Sequence, residues 1–335
     1  MHEIDLSKYD LRTDLIIEND VKEKINHYEK NGVLVDDIIL EKNNSLNKKK
    51  GKYVTISFDD VTDSSNFQNV LNVVKEELIN ILKYCKIKED ASCLIIGLGN
   101  RKIISDALGS KTIDDIIVTR HIYLLENVDK KYRNVSILEP NVIGVTGIDS
   151  FEIIKNVVNE IKPNFIIAID SLCAKNIERL NKTIQITSSG ITPGSGIGND
   201  REELSFETLK IPVIAIGVPT VVDSTVIVSD TINYLIKKIS YMKENINNNH
   251  DKLKPINKIN YLKNKDNVKE LSLDEKKELL GYIGLLEEND LRNLIWEVLT
   301  PVDANMIVTT KEIDFIIEKL GKLISQSINE TLHKI

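Results

Sequence analysis

Uninterrupted apolar blocks alternate along the first two thirds of the chain with stretches in which apolar residues recur every three or four positions. The blocks Cys93–Leu98 (CLIIGL), Val135–Leu138 (VSIL), Phe165–Ile169 (FIIAI) and Ile211–Val218 (IPVIAIGV) have the character of strands buried on both faces. Pro219 is expected to end the last of them. Tyr53–Phe58 (YVTISF) alternates and is β-branched, which predicts a further strand. Val33–Leu40 fits a strand or a short helix, Leu11–Glu18 a short extended segment, and Thr183–Thr187 an edge strand. Between these blocks, Asn66–Tyr84 places Val70, Leu71, Val73, Val74, Leu78, Ile81 and Leu82 on one helical face. Asp149 is a natural N-cap for a helix over 150–161 with Pro163 as its stop, and 223–239 reads as another helix. The segment from Ser105 is roughly helical with a break near Gly109, and Asn176–Leu180 has helical composition.

Buried strands alternating with helices predict an α/β fold, a mostly parallel sheet flanked by helices. Residues 243–270 form an asparagine- and lysine-rich bridge, and 271–335 read as a C-terminal helical appendage whose last helix Thr309 or Thr310 would cap. Residues 15–242 are then the core.

Composition narrows the function. The 335 residues carry 41% hydrophobic and 28% charged side chains and a net charge of −7, so nucleic acid is a poor partner. No apolar run is long enough to cross a bilayer, and the start MHEIDLSKYD lacks an export signal, so the expectation is a cytoplasmic protein with no membrane partner. The three cysteines, Cys85, Cys93 and Cys173, lack metal-type spacing, and Cys93 and Cys173 read as buried thiols.

The chemistry concentrates at two strand ends. In SCLIIGLGNRKIISDALG a buried strand runs into a glycine-bracketed turn that delivers Asp106, and in NFIIAIDSLCA a second strand delivers Asp170. Carboxyl ends of parallel strands are where open α/β sheets bind ligands. From spacing alone, each aspartate is either a helix cap or a catalytic carboxylate. The turn Gly97-Leu98-Gly99 is not a dinucleotide fingerprint, because the position of its third glycine holds Lys102. No serine elbow and no zinc spacing are present, and only His121 of the five histidines lies in the core. The turn-rich stretch Ser188–Asn199 holds Gly194, Gly196 and Gly198, a long glycine loop of the kind that carries function. That loop and the polar Thr119-Arg120-His121 segment are candidates to line a cleft.

Resemblance goes further than spacing. The runs GLGNRKIISDALG, VTRHIY, EPNVIGVTGI, IAIDSLCA and ERLNKTIQITSSGITPGSGIGN, continuing into IPVIAIGVPTVVD, closely resemble the germination (spore) endopeptidases of spore-forming Gram-positive bacteria. The similarity runs from about Leu94 to Asp230, and YDLRTDLIIE resembles the family's N-terminal segment. The resemblance implies an atypical aspartic endopeptidase with a hydrogenase-maturation-protease-like fold, acting on small acid-soluble spore proteins in the forespore and spore core. It implies that Asp106 and Asp170 are the catalytic pair, without metal or other cofactor. It also implies a homotetramer, made as a zymogen that removes residues 1–14 itself by cutting Asp14-Leu15, an acidic residue followed by an apolar one. Ser171 and Cys173 stand where relatives carry small aliphatic residues, and Ser105 where proline is frequent. Two rival readings are a metal-dependent maturation-type peptidase on the same fold and a nucleotide-binding α/β protein.

Overall fold

The computed structural model describes residues 13–19, 23–42, 48–123, 125, 129, 131–194, 202–245, 271–302 and 304–334. Its main strands are β1 (Asn26–Lys30), β2 (Val33–Leu40), β3 (Gly51–Ser57), β4 (Cys93–Gly97), β5 (Val135–Leu138), β6 (Phe165–Ala174), β7 (Thr183–Thr187) and β8 (Val213–Asp223), with a two-residue strand at Ile307–Val308 besides. The helices are α1 (Ser64–Tyr84), α2 (Leu108–Ile113), α3 (Arg120–Tyr123), α4 (Ile143–Thr146), α5 (Ser150–Ile161), α6 (Phe206–Leu209), α7 (Ser224–Asn245), α8 (Leu273–Leu280), α9 (Glu288–Leu299) and α10 (Ile313–Leu332). The chain divides into two compact units. Among the described residues, 13–222 with 308–334 form an α/β unit and 223–307 a helical one.

The sheet of the α/β unit runs β1-β2-β3-β7-β8-β6-β4-β5. The pairs β8·β6, β6·β4 and β4·β5 are parallel, whereas β1·β2, β2·β3, β3·β7 and β7·β8 are antiparallel. The sheet is therefore mixed, which corrects the expectation of a mostly parallel one. The antiparallel half begins with a hairpin whose turn residues, Asn31 and Gly32, both have positive φ, the pairing that matches the twist of two joined strands. β7 lies between β3 and β8 and is buried throughout, so it is an interior strand and not an edge.

Pro219 does not end β8. It pairs with Leu172, and the register shifts at the next step, where Cys173 pairs with Val221. This bulge accommodates a residue that has no N–H to give to the ladder. Because β6 runs on to Ala174, Asp170 lies inside a strand and not in a turn before a helix. Asn176–Leu180 forms only a single 3₁₀ turn, Ile177–Arg179.

Side-chain alternation gives the sheet two faces. On one, Cys93, Ile95, Phe165, Ile167, Ile169, Ile214 and Ile216 pack with α1, α2 and α10. On the other, Leu94, Ile96, Ile166, Ala168 and Val213 pack with Phe151, Ile154 and Val158 of α5. Helix α10 fully buries Ile317, Leu320, Leu323, Ile324 and Ile328. At about 1.5–3 kcal/mol for each such side chain, α10 is part of the main core and no appendage. Glu312, not Thr309 or Thr310, precedes it, without a side-chain cap; Thr309 donates to the Thr220 carbonyl and Thr310 accepts from Asn181. The Asp149 cap is as expected, accepting the Phe151 N–H at 2.7 Å.

In the helical unit α7 packs on α9, where Arg292 reaches Ser229, Asp230 and Glu288. Helix α8 opens in a capping box made by Ser272 and Glu275. No helix among the described residues is long and apolar enough to cross a membrane.

Candidate active site

Asp170 owes its position to the unequal lengths of neighbouring strands. β4 stops at Gly97, which pairs with Ile169, and β6 continues past it, so Asp170 is the first residue of β6 beyond the end of β4. On its other side it pairs with Gly217 of β8. The alternation of β6 puts its carboxylate on the face of Ile166 and Ala168. It is only 5% exposed, and its Oδ1 accepts the Ser171 N–H at 2.9 Å.

The loop after β4 folds back over this point. Leu98 N–H donates to the Ile169 carbonyl at 2.8 Å, and Asn100 N–H is shared between the carbonyl (3.0 Å) and the Oδ2 (2.9 Å) of Asp106. The turn Ile104–Asp106 packs against β6, and Thr220 on the β8 bulge donates to the Ser105 carbonyl at 2.6 Å. Gly99 has φ +96°, and a Cβ there would lie 2.0 Å from the Asp106 carbonyl oxygen. A Cβ on Gly109 would lie 2.5 Å from the Ile169 carbonyl oxygen. These glycines serve close backbone packing between β4, the Asp106 turn and α2. The loop therefore ties Asp106 to β6 at Ile169, the residue before Asp170.

Neither aspartate caps a helix. Helix α2 is preceded by Ala107 with no side-chain cap, and Asp106 spends an oxygen on the loop N–H instead. Asp170 lies within β6, with strand residues before and after it. The two carboxylates, one buried on β6 and one half-buried on the turn that packs against β6, are therefore both left without a capping role.

Arg101 braces the same loop. Its guanidinium pairs with Asp114 at 2.8 Å and Glu139 at 2.7 Å and donates to the Ser110 carbonyl at 3.1 Å. Residue 139 follows β5, so Arg101 ties the loops after two adjacent strands together.

A second cluster surrounds Asp14-Leu15. Asp14 N–H donates to the Cys173 carbonyl at 3.2 Å, and Asp14 Oδ2 accepts the Cys173 N–H at 2.9 Å. The Asp14 carbonyl accepts from Lys48 Nζ at 3.0 Å and from Gln185 Nε2 at 3.1 Å, while Gln185 Oε1 accepts the Ile16 N–H at 2.7 Å. Leu15 and Ile16 are fully buried. Glu18 holds the other end, accepting from Thr13 Oγ1 at 2.5 Å and from Lys175 N–H at 2.7 Å. Burial pushes the Glu18 carboxyl above its usual range, against the Thr13 and Lys175 hydrogen bonds and the Arg179 charge that pull it down. Burial likewise pulls the Lys48 ammonium below its usual value, opposed by the Asp14 charge.

The profile of the germination protease family matches residues 8–335. The chain is 41% identical to the germination protease of Bacillus licheniformis over 99% of its own length and 95% of the relative's. It is 42% identical to that of Bacillus velezensis and 41% identical to that of Priestia megaterium, each over 99% of this chain and 96% of the relative. The chain belongs to the germination protease family. It is thus a peptidase.

The other expected residues lie apart from this pair. Thr119 N–H bonds to the Val135 carbonyl at the amino-terminal start of β5, and Val135 pairs with Cys93, the first residue of β4. The adjoining α3, with Arg120 half-buried and His121 exposed, is thus tied to the end of the parallel strands opposite Asp170. Gly194 has φ +73° in a loop closed at its neck by the Ile191–Leu204 bridge, whose side chains pack on the same sheet face as Asp170. Gly196 and Gly198 lie outside the described residues. Among the described residues, no group of three or more His, Cys, Asp or Glu side chains could hold a metal ion.

Sequence reasoning missed Arg101, Lys48, Gln185 and Glu18. Lys48 belongs to the run Lys48, Lys49, Lys50 and Lys52, whose composition suits a solvated loop, and Gln185 to the expected edge strand Thr183–Thr187, which gives no sign of its partners. Only the acidic position of Glu18 within an apolar run, LIIE, was a signal.

Proposed function

We propose that this chain is an aspartic endopeptidase in which Asp106 and Asp170 activate a water and protonate the departing nitrogen of a peptide bond. The observation that carries the reading is the strand-end geometry: both carboxylates belong to the carboxyl end of the β4–β6 pair, and neither is used as a helix cap. One ionised carboxylate takes the proton of the water as it attacks the carbonyl carbon, and its protonated neighbour gives a proton to the leaving amine.

The substrates in this reading are small acid-soluble spore proteins, cut between an acidic and an apolar residue in the forespore and spore core. That the relatives are germination proteases supports the germination context. The same specificity makes Asp14-Leu15 a self-processing site, so residues 1–14 are the propeptide of a zymogen. The parallel strands β8-β6-β4-β5 are the part we relate to hydrogenase-maturation proteases, and a homotetramer is the proposed assembly. Incubating the enzyme with a small spore-type protein and sequencing the product N-termini tests the reading. Cuts confined to acidic–apolar bonds support it, and cuts elsewhere or none overturn it.

A further inference from the structure

Glu18 is a buried carboxylate with capacity to spare. Its side chain is 6% exposed, and its Oε1 accepts no hydrogen bond among the described residues, although Arg179 Nε lies 3.7 Å away. Its Oε2 is reached by Thr13 Oγ1, and that same hydroxyl accepts the Leu15 N–H at 3.1 Å. One threonine hydroxyl therefore stands between the Leu15 nitrogen and the Glu18 carboxylate. That threonine lies on the side of Asp14-Leu15 that departs.

Cleavage changes the charge at this place. Water adds across the Asp14–Leu15 bond: the C–N bond breaks, Asp14 keeps the hydroxyl oxygen as a carboxylate, and the Leu15 nitrogen takes up protons to become an ammonium. Leu15 is fully buried. An ammonium held there without a counter-ion is strongly disfavoured, because burial strips it of water. The departing segment also removes Thr13 from Glu18 and leaves that carboxylate short of a donor. Two groups thus lose their shared partner in the same step, and they carry opposite charge.

We propose that the new Leu15 ammonium takes the place of the Thr13 hydroxyl and forms a buried ion pair with Glu18, and that Glu18 thereby acts as a positioning residue in the processed enzyme. Glu18 also accepts the N–H of Lys175, the residue that follows β6. The pair fastens the new N-terminus to the end of the strand that carries Asp170, five residues upstream of Lys175 in sequence. The charged groups facing the pair are Arg179 and Lys175 beyond β6 and Lys48 before β3, with Asp14 leaving. This inference rests on the self-processing proposed above.

The test uses the full chain, wild type and Glu18→Gln, after processing. Mass spectrometry first establishes whether Leu15 is the new N-terminus. If it is not, the processing reading and this inference fail together. If it is, competitive labelling with acetic anhydride from pH 6 to 10 follows the Leu15 amine. The pair predicts labelling at least about tenfold slower in the wild type than in Glu18→Gln at pH 8, where an ordinary α-amine titrates. It also predicts activity on an added substrate that falls at alkaline pH in the wild type, as the ammonium is lost. Equal labelling with Leu15 at the terminus overturns this inference alone. Should Glu18→Gln not fold or process, transamination of the processed wild type removes the ammonium and leaves Glu18 in place. Activity unchanged after complete modification then overturns the proposal.

Discussion

The N–H of Leu98 donates to the carbonyl of Ile169 at 2.8 Å, joining the residue after β4 to the residue before Asp170. Through this bond and the Asn100–Asp106 pair, the turn bearing one aspartate is registered on the strand bearing the other. The glycines that permit the approach are the weak points of the arrangement.

Gly99→Ala forces a side chain into positive φ and against the Asp106 carbonyl. A residue held in such a conformation costs about 1–3 kcal/mol. The variant is expected to unfold at lower urea and to cleave substrate far more slowly, since Asp106 must move to admit the methyl group. Urea unfolding and steady-state rates measured on one preparation check this. Full activity would mean that the turn geometry is irrelevant to the chemistry.

Glu77 of α1 is fully buried and paired with Lys30 at 2.9 Å. Burial pushes its carboxyl up, but hydrogen bonds from Lys30, Asn80 and Tyr28 outweigh this and hold it below the usual range. Lys30→Met leaves the carboxylate without its cation, a loss of roughly 3 kcal/mol for a buried pair. Chemical denaturation at pH 7 should show it, while the rate per folded molecule stays unchanged.

Glu18 gives the chain that retains residues 1–14 a pH dependence of defined sign. Its folded pKa lies above the unfolded value of about 4.3, so the folded state holds the proton more tightly. Its contribution to stability is therefore greatest below the unfolded pKa and is lost as pH rises through the folded pKa. Comparing wild type with Glu18→Gln by denaturation between pH 4 and 7, the difference curve should slope downward with pH in the wild type. A flat or rising difference contradicts the assignment.

The thiols are expected to be inert. Cys93 and Cys173 are buried, and burial pushes the half-buried Cys85 up to about 11. A thiolate is the reactive form, so modification by a thiol reagent at pH 8 should proceed only as fast as unfolding exposes the groups. Rapid labelling of a native cysteine would contradict this.

The parallel half of the fold was legible because β4, β6 and β8 are apolar on both faces, a pattern few other elements produce. The antiparallel half was not, although Asn31-Gly32 between alternating segments is a strong hairpin signal. β7 was misplaced because TIQIT has the alternation of a one-sided strand, yet its polar Thr183, Gln185 and Thr187 are all buried. Gln185 is spent on the segment around Asp14, a contact across more than 150 residues that no local pattern carries. Asp106 and Asp170 were legible as carboxylates following apolar strand residues, and the strand and loop hydrogen bonds set aside the capping reading of each. Pro219 misled because a proline normally stops a ladder, and the bulge beside it cannot be read from composition.

The central claim is that Asp106 and Asp170 together cleave peptide bonds. The most direct measurement is the rate of cleavage of a small spore-type protein by Asp106→Asn and Asp170→Asn, each verified as folded by circular dichroism. The account predicts that either change abolishes cleavage of the substrate and of Asp14-Leu15 alike, with the fold intact. A folded Asp170→Asn enzyme that cleaves at the wild-type rate would contradict it.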